Sequence, residues 1–424
     1  MNSRERITLA LNHSEPDMVP LDLGGCGQTG MHVDTVYLLR QTLGLDAPGT
    51  PVKVIEPYQM LGEIKLDLLN AIGGDVVSLG TTGTLFGFKA EGWKPWTTFG
   101  GTPVLVPENF DTELSADGNL YVYACGDRSY PPSAKMPAGG FYFDSLSRGE
   151  PVQQDTELRL EDNLEEFGPI SEDDISHLQS ESRRLYEQTD KAIMMVFPGT
   201  GFGDIALVPG PMLKEPKGIR GIEEWYISTV SRQKFIYQIF EQQCEIALQN
   251  LPRVYEAVGD RISVVWLSGT DFGAQYGPFI SPKSYRNLYK PHYRRVNDWI
   301  HSNTQWKTFM HCCGSILPLI PDIIDSGFDI LNPVQTSAKD MDPQVLKDRF
   351  GADLTFWGGG VDTQHVLPFG TADDVRQMVR ERLAIFGKGG GYVFNPIHNV
   401  QAKVPVENLL AMYDTVRQFR SYPV

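Results

Sequence analysis

The chain has 424 residues, 41% of them apolar, which allows a large core and is long for one ordinary domain. Acidic residues outnumber basic ones by 53 to 37, and no cluster of lysine and arginine is long enough to follow a phosphate backbone. Nucleic acid and anionic membranes are therefore not expected as partners. The sequence contains no run of about 18 apolar residues and no signal-peptide pattern, so a cytoplasmic protein is expected. Five cysteines, an odd number, favour a reducing compartment over a disulfide scaffold.

Eight short apolar runs recur along the chain, and most are followed by a helix-like segment. The runs are almost continuously hydrophobic rather than alternating, which is typical of parallel strands buried on both faces. Eight such runs in strand–helix order predict an α/β protein with a closed (β/α)8 TIM barrel, built as a single domain over residues 1–424. The runs cover residues 18–25, 75–80, 192–199, 262–269, 307–314, 329–335, 354–360 and 391–398.

Segments of helical period separate the later runs, and several begin with a capping residue or an early proline. A long stretch at 222–258 predicts two helices that separate near Ser231. The other predicted helices cover 281–303, 316–326, 342–350, 372–386 and 404–420.

The region after the second run breaks this rhythm, since residues 81–160 are rich in glycine, threonine, proline and aromatic residues in alternating pieces. We interpret 81–190 as an insertion of antiparallel strands and loops within the barrel domain. Its aromatic residues are compatible with a lid over an apolar substrate or with a small core of the insertion itself.

Active sites of (β/α)8 barrels lie at the carboxyl ends of the strands, so the residues that end each run are the first candidates. His311 and Cys313 lie two residues apart in an extended run, so their side chains leave the same face, while Cys312 points the opposite way. Imidazole and thiolate together suit zinc, and three protein ligands would leave the fourth position open. His398, at the end of the eighth run, is the candidate third ligand. An isolated His-x-Cys pair is a weak signal, which its position at a strand end strengthens.

Other polar residues at strand ends are assigned by position. Asp271 and Gln335 are catalytic candidates that orient a ligand or fix a histidine tautomer, although Asp271 is also compatible with a general base or a helix cap. Asp75, at the start of the second run, is expected to serve stability at the bottom of the barrel. The candidate substrate contacts are Gln275, Asn332, Asn395, Asp362 and Cys26. Cys26 is equally compatible with a simple turn residue.

Several segments, in order along the chain, resemble the uroporphyrinogen decarboxylase superfamily, including its cobalamin-linked methyltransferase branch. The similarity covers nearly the whole chain outside 81–190 and implies the barrel fold. The segments that carry it most clearly are FMHCCGSI, DILNPVQTSAKDMDP, LTFWGGGVDTQHVLPFGTADDV and NVQAKVPVENLLAMYD.

The two branches of this family imply different chemistry. Decarboxylases carry an arginine in the loop after the first strand and an aspartate after the second, whereas this chain has LDLGGCGQTGM and VSLGTTG there. The methyltransferase branch holds zinc with His-x-Cys after strand five and a further cysteine after strand eight. His311 and Cys313 match the pair, and His398 stands where the cysteine is expected. Histidine in place of cysteine raises the formal charge of the site by one and makes the ion a stronger Lewis acid.

The resemblance therefore implies a zinc-dependent methyltransferase or demethylase. It would move a methyl group between a methylated small molecule of methoxy or methylamine type, or a thiol, and the corrinoid (cobalamin) of a transiently bound partner protein. The His398 exchange and the aromatic insertion favour demethylation. A metal-free carboxy-lyase acting on a smaller acid is the alternative, and a non-catalytic binding role is a third. A homodimer is common among large enzymes of this kind.

Overall fold

A computed structural model describes residues 1–152 and 154–424 of the chain. Its strands are β1 (Val52–Glu56), β2 (Leu61–Gly62), β3 (Val76–Leu79), β4 (Lys94–Thr97), β5 (Pro103–Val106), β6 (Thr112–Leu114), β7 (Leu120–Val122), β8 (Ala134–Met136), β9 (Asp144–Ser145), β10 (Ala192–Val196), β11 (Val264–Ser268), β12 (Lys307–His311), β13 (Ile330–Asn332), β14 (Thr355–Trp357) and β15 (Tyr392–Val393). Its helices are α1 (Ser3–Leu11), α2 (Val33–Thr42), α3 (Leu66–Ile72), α4 (Glu172–Gln188), α5 (Ile222–Ser231), α6 (Gln233–Val258), α7 (Pro282–Leu288), α8 (Lys290–Asn303), α9 (Ile320–Asp325), α10 (Pro343–Phe350), α11 (Val366–Phe369), α12 (Ala372–Phe386) and α13 (Val406–Phe419).

The central sheet has seven parallel strands in the order β15-β14-β13-β12-β11-β10-β3, so each strand pairs with its nearest barrel neighbours along the chain. Each of these strands lies inside one of the predicted apolar runs. Helices between successive strands cover the outer face, as parallel sheets require.

The segment around Leu21 closes the sheet into a barrel. The Phe394 N–H donates to the Pro20 carbonyl at 2.8 Å, and the Asp22 N–H donates to the Phe394 carbonyl at 2.9 Å. On the other side, the Asp75 N–H donates to the Leu21 carbonyl at 2.7 Å. The first predicted run therefore takes the eighth place between β15 and β3, and the prediction of a TIM-type barrel is confirmed.

Two predicted elements differ in detail. The run 18–25 forms a short bridge rather than a full strand, because Pro20 has no N–H to donate to a ladder. The helix predicted over 281–303 divides at Tyr289 into α7 and α8. Pro291, in the first turn of α8, cannot donate to the preceding turn, so the helix restarts there.

Apolar side chains fill the barrel interior, and α1 closes its lower end by packing Ile7 and Leu11 against that core. Asp75 anchors this end, since its carboxylate pairs with Arg6 at 2.5 Å and with Arg420 at 3.4 Å. Between this charged group and the carboxyl ends of the strands, the interior is lined by apolar side chains.

Residues 81–190 form small sheets and one long helix. β4 and β5 join β1 and β2 in one sheet, and β6 to β9 form an antiparallel sheet. Phe110 packs edge-on against Trp96 and Phe143, with ring centroids 5.6 and 6.0 Å apart. These rings form a local core. None of the helices in the described ranges combines the length and hydrophobicity needed to span a bilayer.

Candidate metal centre

Three potential metal ligands converge at the mouth of the barrel. His311 ends β12, Cys313 follows two residues later, and His398 follows β15; their ligand atoms all lie within 4.8 Å of one another. Cys313 Sγ lies 3.2 Å from His311 Nε2, and the two imidazole centroids are 4.9 Å apart. His398 has a φ of 69°, which is uncommon for a residue with a Cβ and brings the chain back over the mouth.

Cys312 points away from this group, as the alternation of an extended run predicts. Its Sγ accepts the backbone N–H of Phe272 at 3.2 Å, and the residue is buried in the outer core. Burial raises the pKa of its thiol well above the usual value, which is typical of an inert structural cysteine.

A carboxamide fixes the tautomer of His311. Asn332 Nδ2 donates to the Trp357 carbonyl at 2.7 Å, so Asn332 Oδ1 faces the imidazole and can only accept. His311 Nδ1 lies 2.5 Å from that oxygen and therefore carries the proton. The lone pair of Nε2 is left directed towards Cys313.

His398 has a similar neighbour. Its Nδ1 lies 2.8 Å from Asn399 Oδ1, which also accepts from Gln401 Nε2 at 2.6 Å, while Asn399 Nδ2 donates to Gln59. Donation from Nδ1 to Asn399 Oδ1 leaves Nε2 with a lone pair. The backbone N–H of Asn399, also 2.8 Å from Nδ1, donates to it only in the other tautomer.

Burial sets the protonation of this group. It lowers the pKa of His311 to about 4, and together with the nearby His311 ring it lowers the pKa of His398 to about 4. Both imidazoles are therefore neutral at pH 7, the form that binds metals. Burial and the carboxylate of Asp271 raise the pKa of the Cys313 thiol well above its usual value, so the thiol needs a nearby cation to ionise.

Asp271 and Gln335 hold the loop that carries Cys313. The Cys313 N–H donates to Asp271 Oδ1 at 2.6 Å, and the Gly314 N–H donates to Gln335 Oε1 at 2.8 Å. Gln335 Nε2 in turn donates to Gln275 Oε1 at 3.2 Å. Three residues predicted from two strand ends, those of β11 and β13, are thus joined in one network beside the candidate ligands.

The loops after β11 and β12 also approach each other closely through their backbones. A Cβ on Gly314, whose φ is 86°, would lie 2.4 Å from the carbonyl carbon and oxygen of Gly273. Only glycine allows this approach. The loop that carries Asp271 and the loop that carries Cys313 are therefore packed as one unit.

Asn395 lies deeper in the barrel. It is fully buried, and its Nδ2 donates to the Asp22 carbonyl at 3.1 Å, while no described residue pairs with its Oδ1. Asp22 accepts the Trp357 indole N–H at 2.8 Å, and burial raises the pKa of its carboxyl to about 6. This polar pair lies between the apolar core and the mouth.

Two predicted substrate contacts stand apart. Cys26 is buried in the interior cluster beside Thr29, and burial raises the pKa of its thiol to about 12. Asp362 accepts the Gln364 N–H at 2.7 Å and pairs with His365 at 3.2 Å in the turn before α11. Within the described ranges, no hydrogen bond or ion pair joins either residue to the candidate ligands, and their role stays a prediction.

Sequence reasoning gave no role to two residues near the mouth. Asn399 directly follows His398, and its position beside a candidate ligand was the available signal. Asp204 lies in the loop after β10, is only 8% exposed, and lies against Gly269 at the end of β11. Burial and the nearby Asp271 raise the pKa of its carboxyl to about 7. The signal was a carboxylate that closes the glycine-rich stretch GTGFGD after an apolar run.

One family model and one solved structure agree with this architecture. The family model described as uroporphyrinogen decarboxylase (URO-D) matches residues 217–419. A solved methyltransferase from Methanosarcina mazei is similar over 99% of both chains, with 17% identity and a TM-score of 0.55, and shares the fold. The GH53 catalytic domain from Ignisphaera aggregans aligns over 94% of this chain and 99% of its own, with 12% identity and a TM-score of only 0.32. No curated protein matches the chain in sequence.

The matched segment contains strands β11 to β15 and therefore carries every candidate ligand of the metal centre. The resemblance seen in the strand-end motifs is confirmed by this match. Over residues 217–419, just under half of its length, the chain is similar to the uroporphyrinogen decarboxylase family.

Proposed function

We propose that the protein is a zinc-dependent methyltransferase that moves a methyl group between a methylated small molecule, or a thiol, and a corrinoid carried by a partner protein. The observation that supports this most directly is the convergence of His311, Cys313 and His398 within 4.8 Å at the mouth of the barrel. The likeness in fold to a protein described as a methyltransferase is compatible with it.

The residues present fit zinc. Two neutral imidazoles and one thiol are borderline-soft ligands, and three protein ligands leave one position for a substrate. Each imidazole has a carboxamide oxygen beside its Nδ1, the arrangement that orients histidine ligands towards a metal through Nε2. A zinc ion bound here would supply Lewis acidity, which promotes loss of a thiol proton or polarises a methyl donor.

The remaining residues of the site have supporting roles in this proposal. Asp271 and Gln335 hold the backbone on either side of Cys313 Sγ and so fix where the thiol points. Asp271 Oδ1 also lies 3.9 Å from His311 Nε2, where it can accept a proton from an arriving thiol or amine. Asn332 keeps the proton of His311 on Nδ1.

We favour demethylation of a small molecule over methylation of a thiol. With His398 as the third ligand, the ligand set carries one negative charge fewer than a His-Cys-Cys set, which makes a bound zinc ion a stronger Lewis acid. A screen of methyl donors with a purified corrinoid partner tests the direction. Methylation of thiols alone would contradict demethylation.

Elemental analysis of matched cysteine variants tests the metal centre. We expect about one zinc per chain in the parent and in Cys312→Ser, and loss of zinc in Cys313→Ser, because only Cys313 faces the two histidines. The two variants make the same chemical change at adjacent positions, and circular dichroism checks that both fold. If the parent holds no zinc even after the metal is added back, methyl transfer is abandoned in favour of a metal-free lyase.

A further inference from the structure

Two carboxylates face the mouth of the barrel from neighbouring strands and lack a permanent positive partner. Asp204 follows β10, and Asp271 follows β11. Within the described ranges Asp204 takes part in no ion pair, and the group paired with Asp271 is His311 at 3.9 Å, which burial keeps neutral. Both carboxylates also lie in a strongly acidic chain of net charge −16.

Asp204 is built into the wall of the mouth rather than lying on a solvated surface. It is 8% exposed, and its Oδ1 accepts the Ala206 N–H at 2.9 Å. Its Oδ2 lies against Gly269, where a Cβ would approach it to 2.9 Å, and no described residue donates to this oxygen. One carboxylate oxygen is therefore held at the mouth without a partner.

Two further polar groups beside these carboxylates also lack partners. The Tyr226 hydroxyl and the Trp266 indole N–H are buried, and no described residue bonds to either. Burial raises the pKa of the Tyr226 hydroxyl, and the charges of Asp271 and Asp204 raise it further. The Trp266 ring packs under Gly269, beside Asp204, and Tyr226 packs on Phe279 with centroids 5.5 Å apart. The surroundings of Asp204 are thus aromatic as well as acidic.

A buried carboxylate without a partner is costly, and burial accordingly raises the pKa of Asp204 to about 7, so the group stays fully ionised at neutral pH only when a bound group supplies positive charge. The loops that follow β11, β12 and β14, at 269–281, 312–319 and 358–371, contain no lysine or arginine. The loop that carries Asp204 contains Lys214, Lys217 and Arg220, of which Lys214 pairs with Asp127 and Arg220 with Glu166. A zinc ion held by one thiolate and two neutral imidazoles would carry a net charge of plus one, against the two carboxylates of Asp271 and Asp204. One negative charge of this pair is then left for a second cation.

We propose that Asp204, with the rings of Tyr226 and Trp266, binds the methylated ammonium group of a cationic substrate. This inference rests on the proposed methyl transfer and narrows its donor from methoxy compounds to methylated amines. Aromatic faces attract quaternary and protonated ammonium groups through their π electrons, and a carboxylate adds the charge partner. A neutral methoxy donor offers Asp204 no charge partner, so the carboxyl would take up a proton instead.

Calorimetry on the zinc-loaded full chain tests the charge requirement without a corrinoid partner or turnover. The probes are choline and 3,3-dimethyl-1-butanol, which have the same shape but differ by one positive charge. We expect choline to bind about tenfold or more tightly than the neutral alcohol. Asp204→Asn should abolish that preference while zinc content stays at the parental level.

Glu224→Gln is the matched control, because it makes the same change of charge on α5 near Tyr226 at a carboxylate already paired with Arg232 at 3.4 Å. It should keep the preference for choline. Equal binding of both probes, or an unchanged preference in Asp204→Asn, would overturn the proposal. Loss of a second metal ion in Asp204→Asn would also overturn it, since Asp204 would then be a metal ligand.

The zinc measurement separates this inference from the proposed function. A zinc-loaded chain that does not distinguish the probes contradicts the cationic substrate and leaves methyl transfer standing. A chain without zinc that still prefers choline through Asp204 contradicts methyl transfer and keeps the ammonium site.

Discussion

Replacing Asn332 by leucine should weaken zinc binding without touching a ligand. The carboxamide is fully buried, and its two ends are committed to the Trp357 carbonyl at 2.7 Å and to His311 Nδ1 at 2.5 Å. Leucine has a similar shape but offers no acceptor, so the proton of His311 is no longer held on Nδ1. Loss of such a supporting hydrogen bond typically weakens metal affinity by about 10- to 100-fold. That range corresponds to about 1.4–2.8 kcal/mol of binding free energy.

The same substitution also lowers the free energy of unfolding. It leaves a buried carbonyl and a buried N–H unpaired, at a cost of about 1–3 kcal/mol each. Competition with a chromophoric zinc chelator measures the affinity, and urea denaturation of the zinc-free protein measures the stability.

Asn408→Leu is the matched control. Asn408 is also buried, in α13, and its Nδ2 donates to the Leu367 and Gly370 carbonyls at 2.9 Å each. It should lose comparable stability and keep parental zinc affinity. Equal zinc affinity in Asn332→Leu and the parent, or equal weakening in both variants, would refute the argument from the histidine tautomer.

Three further predictions concern protonation, the lower end of the barrel and the paired loops. Burial keeps the two candidate histidines neutral, so only Cys313 should lose a proton when zinc binds. Zinc affinity, measured by chelator titration, should therefore rise about tenfold per pH unit from about pH 5 to 8. A slope that steepens below about pH 6.5 would contradict this prediction. Asp75→Asn should lower the free energy of unfolding in urea by about 1–3 kcal/mol, since Arg6 loses one buried partner but keeps its pair with Asp17, and zinc affinity should not change. Gly314→Ala should destabilise the fold by more than about 1 kcal/mol because of its positive φ and the close backbone contact, whereas Gly277→Ala, which meets no atom within 4 Å, should be neutral.

Histidine protonation also predicts how the zinc-free protein responds to acid. The folded-state pKa values of His311 and His398, about 4, lie below the unfolded value of about 6.5. Between these values the unfolded chain binds more protons, so stability is lost as pH falls from about 6.5 towards 4. Urea midpoints measured across this range test the direction, and a flat profile would contradict it.

Hydrophobic periodicity was sufficient to place the strands, because a strand buried on both faces reads as a continuous apolar run. The division of 222–258 was also predictable, and α5 ends at Ser231 as expected. The division of 281–303 was missed although Pro291 was visible, because the period continues on both sides of it. That residues 1–424 form one domain with an insertion at 81–190 stays a proposal.

The site was predictable only at the level of strand ends. The location of His311, Cys313 and His398 at predicted strand ends, with the two-residue alternation, predicted that these side chains converge. Location at strand ends also selected Gln275 and Gln335, which are hydrogen-bonded to each other. The location of a residue at a strand end does not show which polar side chain it hydrogen-bonds to. The Asn332 amide is oriented by the carbonyl of a residue 25 positions away, and no periodicity encodes that contact.

Closure of the barrel through the segment 20–22 has a consequence for how the chain folds. The Asn395 side chain bonds to the carbonyl of Asp22 across 373 residues of sequence, and the Val19 N–H donates to the Arg420 carbonyl at 2.7 Å. During synthesis the N-terminal segment has no strand to pair with on one side until the last barrel strand has left the ribosome. Contacts of such high sequence separation form late. We therefore expect the backbone amides of 19–22 to be the last in the barrel to gain protection from hydrogen exchange during refolding.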